Sequence, residues 1–197
     1  VVGLDLAKRV FQVHAVGSDG QIAIRRKLRR GEVLAFFSSL PSCLVGMEAC
    51  ASAHYWAREL MALGHDVRLM PPAYVKPYVK RGKTDAADAE AICEAVTRPT
   101  MRFVAVKTRE QQGVLMLHKT RDLLVRQRTA LINALRAHLA EYGIVTPTGP
   151  GGVNALTKLL REEQDALPSH ARAALSSLVE QTPGQAFIVL GFVLESS

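Results

Sequence analysis

Two aspartates, Asp85 and Asp88, stand on a helical stripe where apolar residues belong. In "KTDAADAEAICEAV" (83–96), Thr84 is a natural N-cap and the alanines behind it propagate a helix. Asp85, Asp88, Ile92 and Val96 then fall at spacings of three, four and four, the core-facing stripe of an amphipathic helix. A carboxylate placed there is costly unless something pairs with it. Asp85 has a simple account of its own, because the helix macrodipole favours an acid in the first turn. Asp88 lies one turn further in and lacks that account. Two more acids interrupt apolar runs: Asp5 in "VVGLDLA" and Glu48 in "LVGMEAC". Either one alone reads as a solvent-facing strand residue or a strand end. Taken together, the four restrict the fold to one that exposes each separately or brings them to a shared, neutralised pocket.

The first hundred residues predict an α/β domain. "RVFQVHAV" alternates as a strand does, "GSDGQ" signals a tight turn, and "QIAIRRKL" resumes the alternation, so with the first run they form an antiparallel meander. A short helix is expected over 31–40, a buried strand ending at Glu48, and a helix over 52–63 with Ser52 as its N-cap and Gly64 as its stop. "DVRLM", closed by Pro71 and Pro72, is a fifth strand, and the strand–helix–strand order implies a parallel pair. In such a sheet Asp5 and Glu48 lie on strands that can be neighbours, with the Asp88 helix across the same end. Converging carboxylates repel and resist ionising. A divalent cation relieves the conflict, and Mg²⁺ takes hard oxygen ligands of this kind. A pair of such ions activates a nucleophile and stabilises a leaving oxygen in phosphodiester chemistry.

Beyond the basic loop "YVKPYVKRGK", residues 108–142 carry Leu117, Leu124, Leu131, Leu135, Leu139 and Tyr142 on one stripe, which predicts a long amphipathic helix with room for one break. "TPTGPGG" (146–152) reads as a linker and 153–181 as helical again. Trp56 shares a stripe with Leu60 and Leu63 and reads as core, while His14, His54 and His118 read as packing or surface residues. The three cysteines show no zinc-like spacing and read as reduced thiols. The most apolar run, "AFIVLGFVL", is far short of the ~20 residues a bilayer requires, so no membrane association is expected.

Charge points to partners. With 25 Lys+Arg against 18 Asp+Glu, the chain carries +7, a balance that suits polyanions and also occurs in ordinary basic proteins. On a strand, Arg25, Lys27 and Arg29 share a face, which is either a phosphate-contacting row or a charged edge that blocks aggregation. Lys76, Lys80, Arg81 and Lys83 flank the acidic helix, with Tyr74 and Tyr78 between them, and read as backbone contacts for nucleic acid. Lys8 follows Asp5 closely and belongs either near a scissile phosphate or on a hairpin edge.

The three blocks "GLDLAKRVFQVHAV", "GMEACASAHYWARELMALGHDVRLMPP" and "YVKPYVKRGKTDAADAEAICEA" strongly resemble the DEDD-type insertion-sequence transposases, relatives of the Piv-like DNA invertases that include the bridge-RNA-guided recombinases. The resemblance runs from about residue 1 to 145. It implies an RNase H-like (RuvC-like) domain with a five-stranded mixed sheet and flanking helices, followed by a long coiled-coil extension. It implies Asp5, Glu48, Asp85 and Asp88 as catalytic metal ligands for Mg²⁺ in a two-ion site, with Mn²⁺ as a substitute. It further implies DNA as substrate, a structured non-coding guide RNA, a homo-oligomer (dimer or tetramer), and a cytoplasmic, nucleoid-associated location. The expected organisation is a catalytic domain over 1–105, a coiled-coil segment over 106–145, linker and helices over 146–181 and an atypical tail over 182–197. Members of that family carry a later domain with a nucleophilic serine, which is expected to be absent here. Ser169, Ser176, Ser177, Ser196 and Ser197 read as surface or cap serines.

Other classes remain open on the residues alone. A stand-alone nuclease or junction resolvase needs the same acids without a serine domain, and a non-catalytic nucleic-acid-binding remnant needs only the basic surfaces. A sugar-kinase-like ATPase requires a glycine-rich phosphate loop after its first-strand aspartate. Leu6, Ala7 and Lys8 stand there instead.

Overall fold

Five strands form one sheet in the order β3-β2-β1-β4-β5: β1 is Val2–Asp5, β2 Val10–Val16, β3 Ile22–Arg29, β4 Leu44–Glu48 and β5 Asp66–Met70. This computed structural model describes residues 1–79, 84–146, 158 and 167–180, with Asp85 by its backbone alone. Lys80, Arg81, Lys83, the 147–152 linker and the 182–197 tail lie outside those residues. β1, β2 and β3 pair antiparallel, whereas β1, β4 and β5 run parallel. The order and mixed directions are those of an RNase H-like fold, as expected from the sequence.

Alternation assigns the two faces. Val2, Leu4, Phe11, Val13, Val45, Met47, Val67 and Leu69 point to one side, where they meet helices α1 (Val33–Ser38) and α2 (Ala53–Ala62) in the main core. Trp56 is buried there with its ring 5.2 Å from that of Phe11, as its stripe predicts. Leu63 on the same stripe is exposed, because α2 ends before it and Gly64 turns the chain in a left-handed conformation. Ser52 holds the N-cap place of α2, but its φ is 71° and its hydroxyl makes no cap hydrogen bond. A left-handed serine immediately beyond β4 stores strain of about 1–3 kcal/mol, a cost seen mostly at functional sites. β3 lies at the sheet edge, where Leu28 is buried and Arg25, Lys27 and Arg29 are exposed.

The basic loop is partly helical. Residues Pro72–Val75 form α3, and a 3-10 turn follows over Lys76–Tyr78. Helix α4 (Asp85–Ala95) covers the other sheet face, with Ile92, Ala95 and Val96 in a second core that includes Met70 and Val75. Thr84 caps it as the sequence indicates, its Oγ1 accepting from the Ala87 N–H at 3.3 Å.

The chain divides into two compact units, Val1–Gln111 and Gln112–Ser197. At the end of the first, the Lys107 N–H donates to His54 Nδ1 (3.2 Å) and Arg58 donates to the Lys107 carbonyl (2.7 Å). Helix α5 (Arg109–Ala140) follows as one unbroken 32-residue helix. Its C-terminal part forms the core of the second unit, with Leu135 and Leu139 against Leu167 and Leu175, the latter on α6 (Ser169–Glu180). Further back on the expected stripe Leu117, Leu124 and Leu131 are half-buried, while Tyr142 is exposed. Among the described residues no helix is long and apolar enough to cross a membrane.

Candidate functional site

Asp5 is the last residue of β1 and Glu48 the last of β4. Because these strands are parallel and paired with Leu4 opposite Met47, the two acids emerge one step later at the same edge of the sheet. Both lie on the face away from α1 and α2, since Leu4 and Met47 take the other. The acids therefore share an edge and a face.

Helix α4 is brought to them by two glycines. Gly3 and Gly46 are register partners on β1 and β4, each two residues before its strand's acid and on the same face. A Cβ at Gly3 would meet the Ala89 carbonyl oxygen and come within 2.5 Å of Cys93 N. A Cβ at Gly46 would lie 2.7 Å from the Val96 Cβ. The bare backbone of the two strands is thus the bed on which α4 rests, and close approach of that kind requires glycine. Docked this way, α4 places its first turns over the acidic edge. Neither glycine stands out from the sequence alone, although the repeated Gly-x-acid spacing in "GLD" and "GME" was the available signal.

Three of the four acids are coupled electrostatically. The Glu48 carboxyl is pushed above the ordinary glutamate range, first by burial, then by the charges of Asp5 and Asp88. The Cys50 thiol is likewise raised by burial and then by Glu48 and Asp5. Asp5, Glu48 and Asp88 are all partly buried. The side chain of Asp85 lies outside the described residues, while its backbone opens α4 three residues ahead of Asp88.

The shift of Glu48 carries a stability consequence. A carboxyl that holds its proton more firmly when folded favours folding below the unfolded-state pKa, and that contribution fades as pH rises through the raised value. At neutral pH the metal-free domain therefore folds against the charge on Glu48. Glu48→Gln keeps the shape without the charge, so it is expected to melt higher than the parent at neutral pH. The difference should vanish by about pH 3, where glutamate is protonated in both states. Thermal denaturation of the metal-free chain across that pH range is the check.

The donor set is all carboxylate, which suits a hard divalent cation and argues against zinc- or copper-type sites. Among the described residues, no three His, Cys, Asp or Glu groups form an arrangement able to hold a metal ion. The mutual repulsion that raises Glu48 is what such a cation would relieve, so the residues present fit Mg²⁺ in kind.

The basic residues fall in separate places. Arg25, Lys27 and Arg29 stand on the α4 side of the edge strand, opposite His14, Gln12 and Val10 of β2. Arg25 pairs with Glu90 of α4 at 3.3 Å. Lys8 is exposed in the bend between β1 and β2, and Lys76 is exposed after α3. Tyr74 is 45 % exposed, and the Arg98 guanidinium lies over the Tyr78 ring at 5.7 Å. Of the histidines, His14 is buried, His54 is tied to Lys107, and His118 is exposed.

A sheet of this order and these strand directions, with helices on both faces, is that of an RNase H-like α/β fold, and here acids end two of its interior parallel strands. Residues 2–144 match the family model of the IS110-type DEDD transposases, and the chain belongs to that family of insertion-sequence transposases. It is 52% identical over 182 residues to a Pseudomonas aeruginosa protein named "Probable family 20 transposase", covering 91% of this chain and 54% of that protein. It is 40% identical over 178 residues to the transposase for insertion sequence element IS1328 of Yersinia enterocolitica (90% and 53%). It is also 45% identical over 149 residues to that for IS1111A of Coxiella burnetii (76% and 41%). The chain spans about half the length of these curated relatives.

Proposed function

We propose that this chain is the metal-dependent catalytic half of an insertion-sequence recombinase that cleaves and transfers DNA strands at element ends and target. The observation that supports the reading is the field of Asp5 and Asp88 at Glu48, which couples three sequence-distant acids electrostatically. Asp5, Glu48, Asp85 and Asp88 would hold Mg²⁺, or Mn²⁺ in its place. Bound there, the metal supplies activation of an oxygen nucleophile and charge stabilisation at phosphorus.

The chain's own residues hold and orient the strand. Arg25, Lys27 and Arg29 form a cationic row on the face that carries the acids, suited to backbone phosphates. Lys8 and Lys76, both exposed, add further cations for backbone contact, and Lys80, Arg81 and Lys83, which precede α4 in the sequence, are assigned the same role. The domain boundaries follow from the roles: catalysis over 1–105, oligomer contacts through the helical segment over 106–145, and linker and helices beyond. Exposed Val114, Met116, Leu123 and Val125 on α5 suit pairing with a second copy. A structured RNA from the element guides site choice, and the nucleophilic serine belongs to a further domain.

Calorimetric titration of the chain with Mg²⁺ and Mn²⁺ tests the centre of this reading. Saturable binding is expected, with affinity at least about tenfold weaker in Asp5→Ala, as expected when a charged ligand is withdrawn. No binding by the parent chain, or undiminished binding by Asp5→Ala, would leave a nucleic-acid-binding module rather than an enzyme domain.

A further inference from the structure

On the α4 side of the sheet, in the row of residues that contains Asp5, lies a cavity the metal site does not use. It has a volume of about 180 Å³ and is lined by Gln12, His14, Arg25, Lys27 and Ala86, among others. Register fixes its relation to the acids: Asp5 is paired with Gln12, and Gln12 with Lys27. The row therefore reads Lys27, Gln12, Asp5, with Glu48 next across β4. Ala86, on the first turn of α4, adds the positive end of an 11-residue helix.

Gln12 is the informative residue. It is only 6 % exposed and lines the cavity; its side chain makes no hydrogen bond among the described residues, and its amide is not one of the fully buried unpartnered groups, so it stays open to the cavity. Lys27 beside it has no ion pair among the described residues, whereas Arg25 is engaged with Glu90. An amide donor without a protein acceptor, a cation without an ion pair among the described residues and a helix N-terminus all border one cavity, a set of groups that suits an anionic oxygen.

We propose that Gln12 and Lys27 form a phosphate subsite that grips the nucleic-acid strand one position away from the scissile phosphodiester. Gln12 would donate its amide N–H to a non-bridging oxygen and Lys27 would supply the charge. The choice of residue types follows from the neighbours. A cation at position 12 would pair with Asp5 and compete with metal, whereas a neutral amide binds the phosphate and leaves that carboxylate free for its ligand role. This inference rests on the reading of Asp5, Glu48 and Asp88 as a nucleic-acid phosphoryl site, and Gln12 acts in it as a substrate-positioning residue.

The test uses this chain and a short single-stranded oligonucleotide, with binding read by fluorescence anisotropy in the absence of divalent cations. Gln12→Met, of similar volume and apolar, is expected to bind about tenfold more weakly, the scale of one hydrogen bond to a charged group. Its melting temperature should match the parent's, because the amide has no protein partner to lose. A lost structural contact would lower it instead. Gln12→Glu should bind more weakly still. Replacing the backbone phosphates one at a time by neutral methylphosphonates should reveal a position at which the parent loses affinity and Gln12→Met loses nothing more.

Unchanged binding in Gln12→Met, or equal further losses at every methylphosphonate position, would overturn the subsite. If Mg²⁺ binding still depended on Asp5 in that event, the catalytic reading would stand without it. If instead the chain bound no Mg²⁺ while the Gln12 pattern appeared, the acid site would fall and the phosphate grip would survive.

Discussion

Replacing Asp88 with alanine in a transposase bearing this chain is expected to abolish metal-dependent DNA cleavage. On the proposed reading, each carboxylate would have two tasks, to balance cation charge and to fix cation position. A metal contributes several kcal/mol at a transferring phosphoryl group, so the loss should be on the order of 10³-fold or more. Folding should survive, because Asp88 is only partly buried and its charge opposes that of Glu48. Nucleic-acid binding without metal should hold or rise slightly, since a negative charge has left a surface that faces a polyanion. Glu94 on the same helix is the internal control. It is ion-paired with Arg98, six residues from Asp88, so Glu94→Ala should cut at nearly the parental rate. Cleavage of labelled element-end DNA measures both, and retained cleavage in Asp88→Ala would remove that residue from the site.

The parts of this arrangement that could be read from the sequence are those in which one residue type answers one local demand. The alternation in "RVFQVHAV", the turn at "GSDGQ" and the N-cap at Thr84 each correspond to an element in place. The acid pattern was legible because a carboxylate inside an apolar period conflicts with burial wherever the chain goes. What could not be read depends on the partner across the gap. Gly3 and Gly46 are ordinary strand glycines until α4 is laid on them, and only register reveals that they are neighbours. Gln12 looks like the polar member of an alternating strand, yet β2 is covered on both sides, so its polar face is buried too. Ser52 has the right identity for a cap, and the sharp exit from β4 forces it into a conformation in which it cannot act as one.

The glycine bed yields a second large effect, and it should appear without touching an acid. Gly46→Ala places a Cβ 2.7 Å from the Val96 Cβ and 3.0 Å from its Cγ2, so α4 must lift or Val96 must move. Overpacking of this kind costs about 1–3 kcal/mol. A lifted α4 also carries Asp88 away from Asp5 and Glu48, so cleavage should fall at temperatures where the protein is still folded. Val96→Gly, which removes the Cβ along with both methyls, leaves a hole and is expected to destabilise on its own. Combined with Gly46→Ala it should restore both melting temperature and cleavage beyond the sum of the single effects, which a double-mutant cycle measures directly. Gly3→Ala has no such remedy, because beside the Cys93 Cβ at 2.8 Å it meets the Ala89 carbonyl and the Cys93 backbone nitrogen, which no trimmed side chain removes. The two glycines should therefore separate cleanly: Gly46→Ala rescued by a smaller residue at 96, Gly3→Ala rescued by none. Equal activity of Gly46→Ala with and without the Val96 change would mean that α4 finds its place over the acids by contacts other than this bed.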